Sequence, residues 1–288
     1  MNSATALLLG ASGACGQALI DQLGRDGVKL IAVSRQPPEE TQQHVLWLEQ
    51  DLDQLPVSME ANVLISLGPL IHALQQVETS SSLGRVVAMS SASTIFKIDS
   101  RDKQERTLMR QLKAQEQALK AACSKREIIL TIIKPTLIYG GRNTTNVGRI
   151  QGLANRLGLL PYCGRGLRHP VHSSDLAKLI CRCLVLGKDA EGSWLVGGGE
   201  TLEYSTFLRR IMESTGQNPR LLRVPIWAMK LLLSLAHASG RLEDVNSMML
   251  QRQNVDLVVD DTPARQLLDW SPRRFVPGSS EHSFSESP

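Results

Sequence analysis

A glycine-rich stretch near the start of the sequence constrains the fold more than any other feature. Residues 6–9 (ALLL) are apolar, residues 10–16 read GASGACG, and residues 17–23 (QALIDQL) have a helical pattern of apolar side chains. This order predicts a β-strand, a tight turn and an α-helix. Glycine has no Cβ, so it adopts positive φ freely and lets another group approach the backbone closely. We call residues 10–16 the glycine turn.

The spacing of the glycine turn, G-x-x-G-x-x-G, is related to the dinucleotide-binding fingerprint G-x-G-x-x-G. The helix that begins there directs unpaired N–H groups and the positive end of its dipole at the turn, which favours a bound phosphate. Many strand-to-helix turns contain glycine without binding a ligand, so a purely structural turn is the alternative. The flanking strand and helix favour a cofactor site, whose predicted contacts are Gly10, Ser12, Gly13, Ala14, Cys15 and Gly16.

Short apolar runs alternate with helical patterns through the first half of the chain. Continuous apolar runs are typical of parallel strands that are buried on both faces. Further strands are predicted at residues 28–33, 45–48, 63–67, 85–89 and 127–133, and a helix at residues 105–123. This alternation predicts an α/β fold with a doubly wound parallel sheet of the Rossmann type.

The rhythm changes after residue 140, which suggests a division of the chain. We assign residues 1–140 to the core that carries the glycine turn, and residues 141–276 to a smaller C-terminal lobe that is interleaved with the end of the core. Residues 277–288, rich in Ser, Pro and Glu, are predicted to be a disordered tail. Helices are predicted at 174–186, 205–215 and 225–240, and after an Asp261 cap.

Composition and charge exclude several classes of function. The chain is 42% hydrophobic and 21% charged, as in soluble globular proteins, and its net charge of +4 is spread, so nothing indicates a nucleic-acid partner. The apolar run 226–236 is too short to span a bilayer and is predicted to be a buried or interface helix. We expect a cytoplasmic protein with reduced thiols and no metal site, since its five cysteines are scattered: Cys15, Cys123, Cys163, Cys181 and Cys183.

Several motifs in sequence order carry a resemblance to a known family. They are the glycine turn, Asp51-Leu52, Ser90-Ser91, KPTLIYG at 134–140, HPVHSSDLA at 169–177 and LLDWSP at 267–272. With them the chain resembles the extended short-chain dehydrogenase/reductase superfamily, of the NAD-dependent epimerase/dehydratase type. The resemblance implies that the N-terminal part binds a nicotinamide cofactor and that the part after the sixth strand builds the substrate lobe. It also implies that Asp51 and Leu52 contact the adenine, although Asp51 could equally be a turn residue.

The end of the second strand bears on the choice of cofactor. An acidic residue there binds the ribose 2′-OH and favours NAD, whereas a nearby Arg accommodates the 2′-phosphate of NADP. Ser34 and Arg35 occupy this place, and no carboxylate follows until Glu39. A guanidinium suits a phosphate because it offers a rigid fork of donors. We therefore predict NADP(H) as the preferred cofactor with NAD(H) as the second option, unless Arg35 merely faces solvent.

The catalytic signature departs from the family pattern. In this family a Tyr four residues before a Lys acts as the general acid/base. Lys113 and Glu116 match the family's Lys and the Glu that follows it, which puts Met109 at the position of the Tyr. A thioether cannot exchange a proton. A shifted register does not restore the motif, because a Lys follows four places after none of the three tyrosines, Tyr139, Tyr162 and Tyr204.

The remaining catalytic candidates are three. The family's Ser/Thr falls on Ala92, but a shift by one residue would substitute Ser91 or Ser93. Lys113 could bind the nicotinamide ribose, or be an ordinary surface lysine. His172 is a candidate replacement base, although the family uses this segment mainly as a structural turn before a helix.

Two functional hypotheses follow from the resemblance. The first is a reductase- or epimerase-like enzyme acting on a carbonyl or nucleotide-sugar substrate without the usual Tyr. An anionic substrate of this kind could be held by Arg142, Arg149, Arg165 and Arg168. The alternative is a non-catalytic NADP(H)-binding sensor, scaffold or assembly protein, a role known among atypical members of the family. Two questions stay open at this point: whether the chain is an enzyme, and whether it forms a homodimer.

Overall fold

The structure is a computed structural model that describes residues 5–39, 42–54, 56–57, 59–100, 102–141, 146–216, 220–238 and 247–278. The chain forms two compact units, each built from several segments. The first comprises Met1–Thr136, Ser173–Val196 and Asp260–Pro272, and the second comprises Leu137–His172, Gly197–Val259 and Arg273–Pro288. The first segment of the first unit ends at Thr136. From residue 279 onward, the expected tail lies outside the described residues.

The helices and strands alternate in the first part of the chain, and short strands predominate in the second. The strands are β1 (Thr5–Leu9), β2 (Lys29–Ser34), β3 (Val45–Glu49), β4 (Val63–Ser66), β5 (Arg85–Met89), β6 (Ile129–Pro135), β7 (Ile138–Tyr139), β8 (Leu159–Tyr162), β9 (Leu167–Arg168), β10 (Val171–His172), β11 (Gly192–Val196), β12 (Leu202–Glu203) and β13 (Arg220–Arg223). The helices are α1 (Ala14–Arg25), α2 (Leu70–Thr79), α3 (Ser93–Phe96), α4 (Lys103–Lys125), α5 (Asn146–Leu157), α6 (Ser173–Leu186), α7 (Tyr204–Glu213), α8 (Ile226–Ala238), α9 (Ser247–Arg252) and α10 (Thr262–Leu267).

A seven-stranded parallel sheet forms the centre of the first unit, with the order β11-β6-β5-β4-β1-β2-β3. The chain extends this sheet in one direction from β1 to β3 and in the other from β4 to β11. This confirms the predicted doubly wound α/β fold. The strand order reverses between β1 and β4, and ligands of such sheets bind beside the carboxyl ends of the strands at this switch point.

The core of the first unit explains the continuous apolar runs in the sequence. Leu7 and Leu9 of β1, with Val33, Leu64 and Val86 on other strands, are almost fully buried in one hydrophobic cluster. Helices α2 and α4 cover that face of the sheet, and α1 and α6 pack against each other. A strand buried on both faces cannot alternate polar and apolar residues.

Most predicted elements agree with the observed ones to within about two residues, but the sequence patterns do not predict α3, α5, α9 or the short strands of the second unit. In the first unit they also do not predict helix α2 and the edge strand β11. In α2 the apolar positions Leu70, Ala73 and Val77 face the core, yet the buried His72 and Gln76 interrupt the apolar pattern. The Gln76 side chain is buried because it both accepts from and donates to the backbone of Val57.

The predicted cap at Asp261 has a different role in the structure. Asp261 precedes α10, but its carboxylate makes no capping hydrogen bond to the helix. Instead it accepts two hydrogen bonds from the Arg265 guanidinium, at 2.8 and 2.9 Å. The Thr262 N–H donates to Asp260 Oδ1 instead (3.0 Å). A two-point bond to a guanidinium is stronger than a neutral cap, which accounts for the exchange.

An aromatic cluster forms the core of the second unit. Phe275 contacts Tyr139 edge-on at 4.7 Å and stacks on Phe207 at 4.9 Å between ring centroids. The Tyr139 hydroxyl donates to the Arg274 carbonyl (3.2 Å) and accepts from the Val276 N–H (3.3 Å). Residues 273–276 are thus held into this unit by backbone hydrogen bonds as well as by the Phe275 ring.

Candidate functional site

The glycine turn places two glycines where the backbone itself requires them. Gly10 has φ +82°, and a Cβ there would lie 3.2 Å from Gly68 N and Leu67 C, just beyond the end of β4. A Cβ on Gly16 would lie 2.4 Å from the Ala11 carbonyl oxygen. The contact at Gly16 is too close for a side chain, and at Gly10 the positive φ would strain one in addition to the tight contacts. The turn therefore lies at the switch point between β1 and β4, with α1 starting directly against it.

Gly13 differs from its two neighbours in the motif. It is the residue before α1, its φ of −74° suits any amino acid, and a Cβ there would meet only the Gly10 carbonyl oxygen, at 3.6 Å. No side chain caps this end of the helix. The space beside Gly13 is open and adjoins the positive end of the helix dipole, so it suits an approaching phosphate group.

A cavity of about 400 Å³ joins the glycine turn to the end of β2. Its lining residues are Ser12, Ser34, Arg35 and Gln36. The structure therefore brings together the two segments that the sequence analysis connected with one cofactor. The volume falls in the range of ordinary small-molecule sites.

The two residues at the end of β2 are unequally available to a ligand. The Ser34 hydroxyl is buried, donates to the Gln36 carbonyl (3.0 Å) and accepts from the Gln36 N–H (3.1 Å). It therefore stabilises a local turn. Arg35 is exposed and has no ion pair within the described parts of the chain. Of the two residues at the end of β2, Arg35 is therefore the one whose side chain is available to an anion.

Asp51 and Leu52 have structural contacts in the same unit. Asp51 Oδ1 accepts from the Asp53 N–H (3.1 Å), which is the turn role considered above. Leu52 packs against the core cluster and would be 3.4 Å from a Cβ on Gly68. Gly68 in turn adjoins Gly10, so Leu52 lies close to the switch point.

The catalytic candidates are distributed between the two units. Lys113 and Ser91 belong to the first unit and His172 to the second. Lys113 is exposed on α4, whereas Met109 on the same helix is only 6% exposed. The Ser91 hydroxyl accepts from the Ser93 N–H (3.1 Å), as expected for a residue that opens a turn.

His172 is part of the packed interior of the second unit. It is 2% exposed and contacts the Tyr139 ring edge-on, at 4.9 Å between ring centroids. It lies on β10, which pairs with β7. These contacts correspond to the structural role that the family pattern implies for this segment.

Four arginines had been considered as ligands for an anionic substrate. Arg168 is buried, donates to the carbonyls of Leu167, Val255 and Arg252, and stacks on Tyr204 at 4.6 Å from the ring centroid. Its guanidinium therefore holds the end of α9 and the segment that follows. Burial lowers the pKa of Arg168 from its ordinary value. Arg149 and Arg165 are exposed, and Arg142 lies outside the described residues.

The cysteines carry no sign of thiolate chemistry. All five are unbonded thiols, and no cluster of metal-ligating side chains occurs among the residues that the structure describes. Burial raises the pKa of the Cys15 thiol, at the start of α1, to about 12. Cys15 would therefore contribute its backbone N–H to a ligand rather than a reactive sulfur.

A charged network at the ends of β5 and β6 had not been predicted. Glu116 of α4 is buried; one carboxylate oxygen accepts from the Ser90 hydroxyl (2.5 Å) and the other pairs with Lys134 Nζ (2.6 Å). Ser66, which ends β4 and is fully buried, has no hydrogen-bond partner for its hydroxyl in the described parts of the chain. The sequence signal for Glu116 was its place in the family motif. Its burial depends on Lys134, which comes from another element.

We expect Glu116→Gln to destabilise the protein by about 2 kcal/mol, because the ionised hydrogen bond between the buried Glu116 and the partly buried Lys134 is lost. Thermal unfolding without ligand measures this effect. Lys120→Gln is the matched control, since Lys120 is exposed on the same helix, and its effect should stay within about 0.5 kcal/mol. Equal melting temperatures for the two variants would show that the network contributes no stability.

Comparison with known proteins gives a distant sequence match and many similar folds. The chain is 26% identical over 159 residues to the UDP-glucose 4-epimerase of Vibrio cholerae. That match covers 54% of this chain and 46% of the relative, about half of each. No protein-family model matches the chain.

Solved structures of sugar-nucleotide epimerases share the fold across nearly the whole chain. The UDP-N-acetylglucosamine 4-epimerase of Bacillus cereus has a TM-score of 0.67 at 15% identity, and the match covers 95% of this chain and 92% of the epimerase. The UDP-glucuronic acid 4-epimerase of the same organism, solved with UDP-glucuronic acid and NAD, has a TM-score of 0.68 at 14% identity, covering 94% and 95%. The UDP-glucose 4-epimerase of Thermotoga maritima, solved with UDP-glucose, has a TM-score of 0.68 at 16% identity, covering 94% of each chain.

Proposed function

We propose that the chain is a member of the extended short-chain dehydrogenase/reductase superfamily, like the NAD-dependent epimerases whose fold it shares, and that it binds a nicotinamide dinucleotide in its first unit. The observation that carries this proposal is the cavity that joins Ser12 of the glycine turn to Ser34 and Arg35 at the end of β2. The open space at Gly13 supports it, because a pyrophosphate needs close access to the start of α1.

The residues around the cavity suggest how the cofactor would be held. The first-turn N–H groups of α1 would bind the pyrophosphate, and Leu52 would face the adenosine side. Arg35 would bind a 2′-phosphate, so we propose a preference for NADP(H), although the solved Bacillus cereus relative contains NAD. Ser34 would act mainly by holding the turn that presents Arg35, because its hydroxyl bonds to Gln36.

We expect Arg35→Ala to weaken NADPH binding by about tenfold to a hundredfold and to leave NADH binding nearly unchanged. The lost bond joins two charged groups, and such bonds contribute roughly 1.5–3 kcal/mol. Calorimetric titration of both cofactors measures the change. Arg25→Ala is the control, because Arg25 is exposed at the far end of α1 and does not line the cavity. A wild-type protein with equal affinity for the two cofactors would contradict the assignment.

We further propose a reductase- or epimerase-like reaction on a nucleotide-sugar or related carbonyl substrate. The bound nicotinamide would supply the hydride chemistry, and the protein must position the substrate and move a proton. Met109 cannot move that proton. Lys113, exposed on the same helix, could donate a hydrogen bond to a ribose hydroxyl, and Ser91 could orient a substrate oxygen. The proton would then come from the substrate or from water.

A second candidate function is a sensor or assembly protein that binds NADP(H) without turnover. The observation that favours it is the replacement of both expected proton-handling residues by buried apolar ones, Met109 and Ala92. Incubation with labelled NADPH and a panel of nucleotide sugars and carbonyl compounds separates the two. Hydride exchange supports the enzyme, and tight binding with no exchange supports the sensor.

A further inference from the structure

Helix α8 of the second unit has apolar side chains around most of its circumference, but only some of them are covered. Met229 and Leu233 are buried with Cys163 and Leu250 in a small hydrophobic cluster, which fixes the helix to α9. Four other large apolar side chains of the helix are exposed. They are Ile226 (37% exposed), Trp227 (69%), Leu231 (56%) and Leu232 (48%), and we call them the α8 surface.

The α8 surface brings four exposed apolar side chains together within seven residues, which is more than the isolated exposed apolar residues of an ordinary surface. Single exposed apolar residues are normal, but contiguous apolar patches mark sites of interaction. Trp227 and Leu231 are four residues apart and therefore lie on the same face of the helix. Covering them would remove a large apolar area from water, which is favourable in proportion to that area. No helix among the described residues is long and apolar enough to cross a bilayer, so α8 would lie on a surface rather than span one.

The charges around this helix identify the chemistry of what covers it. Helix α5 packs on β8, β8 pairs with β13, and α8 follows β13 and packs on α9. These five elements contain no Asp or Glu, but Glu213 ends helix α7, which packs on α5 and β13, and Glu243 and Asp244 stand between α8 and α9 in the sequence, so basic residues are in excess. The basic residues of the five elements are Arg149, Arg156, Arg220, Arg223, Lys230 and Arg252. Of these, Arg149 of α5, Arg220 and Arg223 of β13 and Lys230 of α8 are exposed.

This charge pattern argues against a second copy of the chain as the cover. In a twofold dimer the same surface meets itself, so the excess of basic residues on one copy would meet the same excess on the other. Like charges brought together in this way disfavour the contact. An anionic surface has the opposite effect, since each basic residue close to it adds attraction.

We propose that the α8 surface binds an anionic lipid bilayer, with the helix lying in the membrane plane. Tryptophan is the residue most typical of the interface between water and lipid, and Trp227 is the most exposed residue of this surface. Leu231 and Leu232 enter the boundary of the acyl chains. Lys230, between them and Trp227 along the helix, extends its ammonium to the headgroups, as long basic side chains do. This role is independent of the proposed dinucleotide site.

Vesicle co-sedimentation of the full chain tests the proposal. The probes are vesicles of phosphatidylcholine alone and of an equal mixture of phosphatidylcholine and phosphatidylserine. We expect binding to the mixed vesicles and at least about fivefold weaker binding to the neutral ones. Binding should fall at about 1 M salt, where charges are screened beyond about 3 Å.

Two variants and one control separate the apolar and charged contributions. Trp227→Ser with Leu231→Ser should lower the partition coefficient at least about tenfold, and Lys230→Ala should lower it about fivefold. Leu108→Ser should have no effect, because Leu108 is equally exposed (58%) but lies on α4 of the first unit. The proposal is overturned if wild type does not sediment with the mixed vesicles, or if the double variant sediments like wild type. It is also overturned if wild type is a dimer that the double variant converts to a monomer.

Discussion

Replacing Gly13 by Val is expected to abolish dinucleotide binding while leaving the protein folded. The φ of Gly13 suits valine, and a Cβ at this position meets only the Gly10 carbonyl oxygen, at an ordinary 3.6 Å. The rest of the side chain would occupy the space in which the pyrophosphate meets the start of α1. Loss of two or more phosphate hydrogen bonds predicts a drop in affinity of at least about a hundredfold. Fluorescence or calorimetric titration with NADPH and NADH measures it.

Gly16→Val is the informative comparison for that experiment. Its Cβ would lie 2.4 Å from a backbone oxygen that cannot move without moving the turn. We expect this variant to lose stability by about 3 kcal/mol, whereas Gly13→Val should melt close to wild type. If Gly13→Val is folded and binds both cofactors with unchanged affinity, the glycine turn is a structural turn and the cofactor proposal is wrong.

Restoring the missing proton donor is expected to give the largest gain. Met109→Tyr would place a phenol one helical turn before Lys113, on the same side of α4. Ala92→Ser would restore the accompanying hydroxyl. General acid/base catalysis contributes about 10²–10⁴-fold, so the double variant should accelerate reduction of an accepted carbonyl or nucleotide-sugar substrate by that order. NADPH consumption measures the rate.

The control for this gain is Met109→Phe with Ala92→Ser, which has the same ring without the hydroxyl. Met109 is only 6% exposed and Ala92 is fully buried, so both double variants share any cost of fitting larger side chains into the first unit. A rate increase for Tyr but not for Phe would identify the phenol as the active group. If the Tyr variant binds NADPH normally and reduces nothing, the sensor or assembly hypothesis takes precedence over the enzyme.

The sheet could be predicted from the sequence because its strands are local and continuous. Residues 30–33 and 128–133 are apolar apart from Thr131, and only a strand buried on both faces explains such short runs well. Helix α2 could not be predicted with the same ease, since its buried Gln76 depends on the backbone of Val57. Strand β11 begins with Gly-Ser rather than with an apolar run, and it joins the sheet by pairing with β6.

The candidate site shows the same division between local and distant information. The three glycines look alike in the sequence, yet Gly10 and Gly16 are required by backbone contacts and Gly13 is not. That difference depends on how closely Leu67 approaches Gly10 and Ala11 approaches Gly16. The spacing of the glycines in the sequence does not contain this information. Likewise, Arg168 resembles an anion-binding residue in the sequence, but the carbonyls that surround it come from α9 and the segment after it.

The segmented make-up of the two units has a consequence for how the chain can be divided. The polypeptide passes from one unit to the other at residues 136, 172, 196, 259 and 272. Any single cut therefore leaves at least one unit in two pieces, and no contiguous fragment contains a whole unit by itself. During synthesis, β6 emerges from the ribosome before its outer neighbour β11 exists, and the anchoring Phe275 follows later still. Completion of both units must wait until nearly the whole chain has been made.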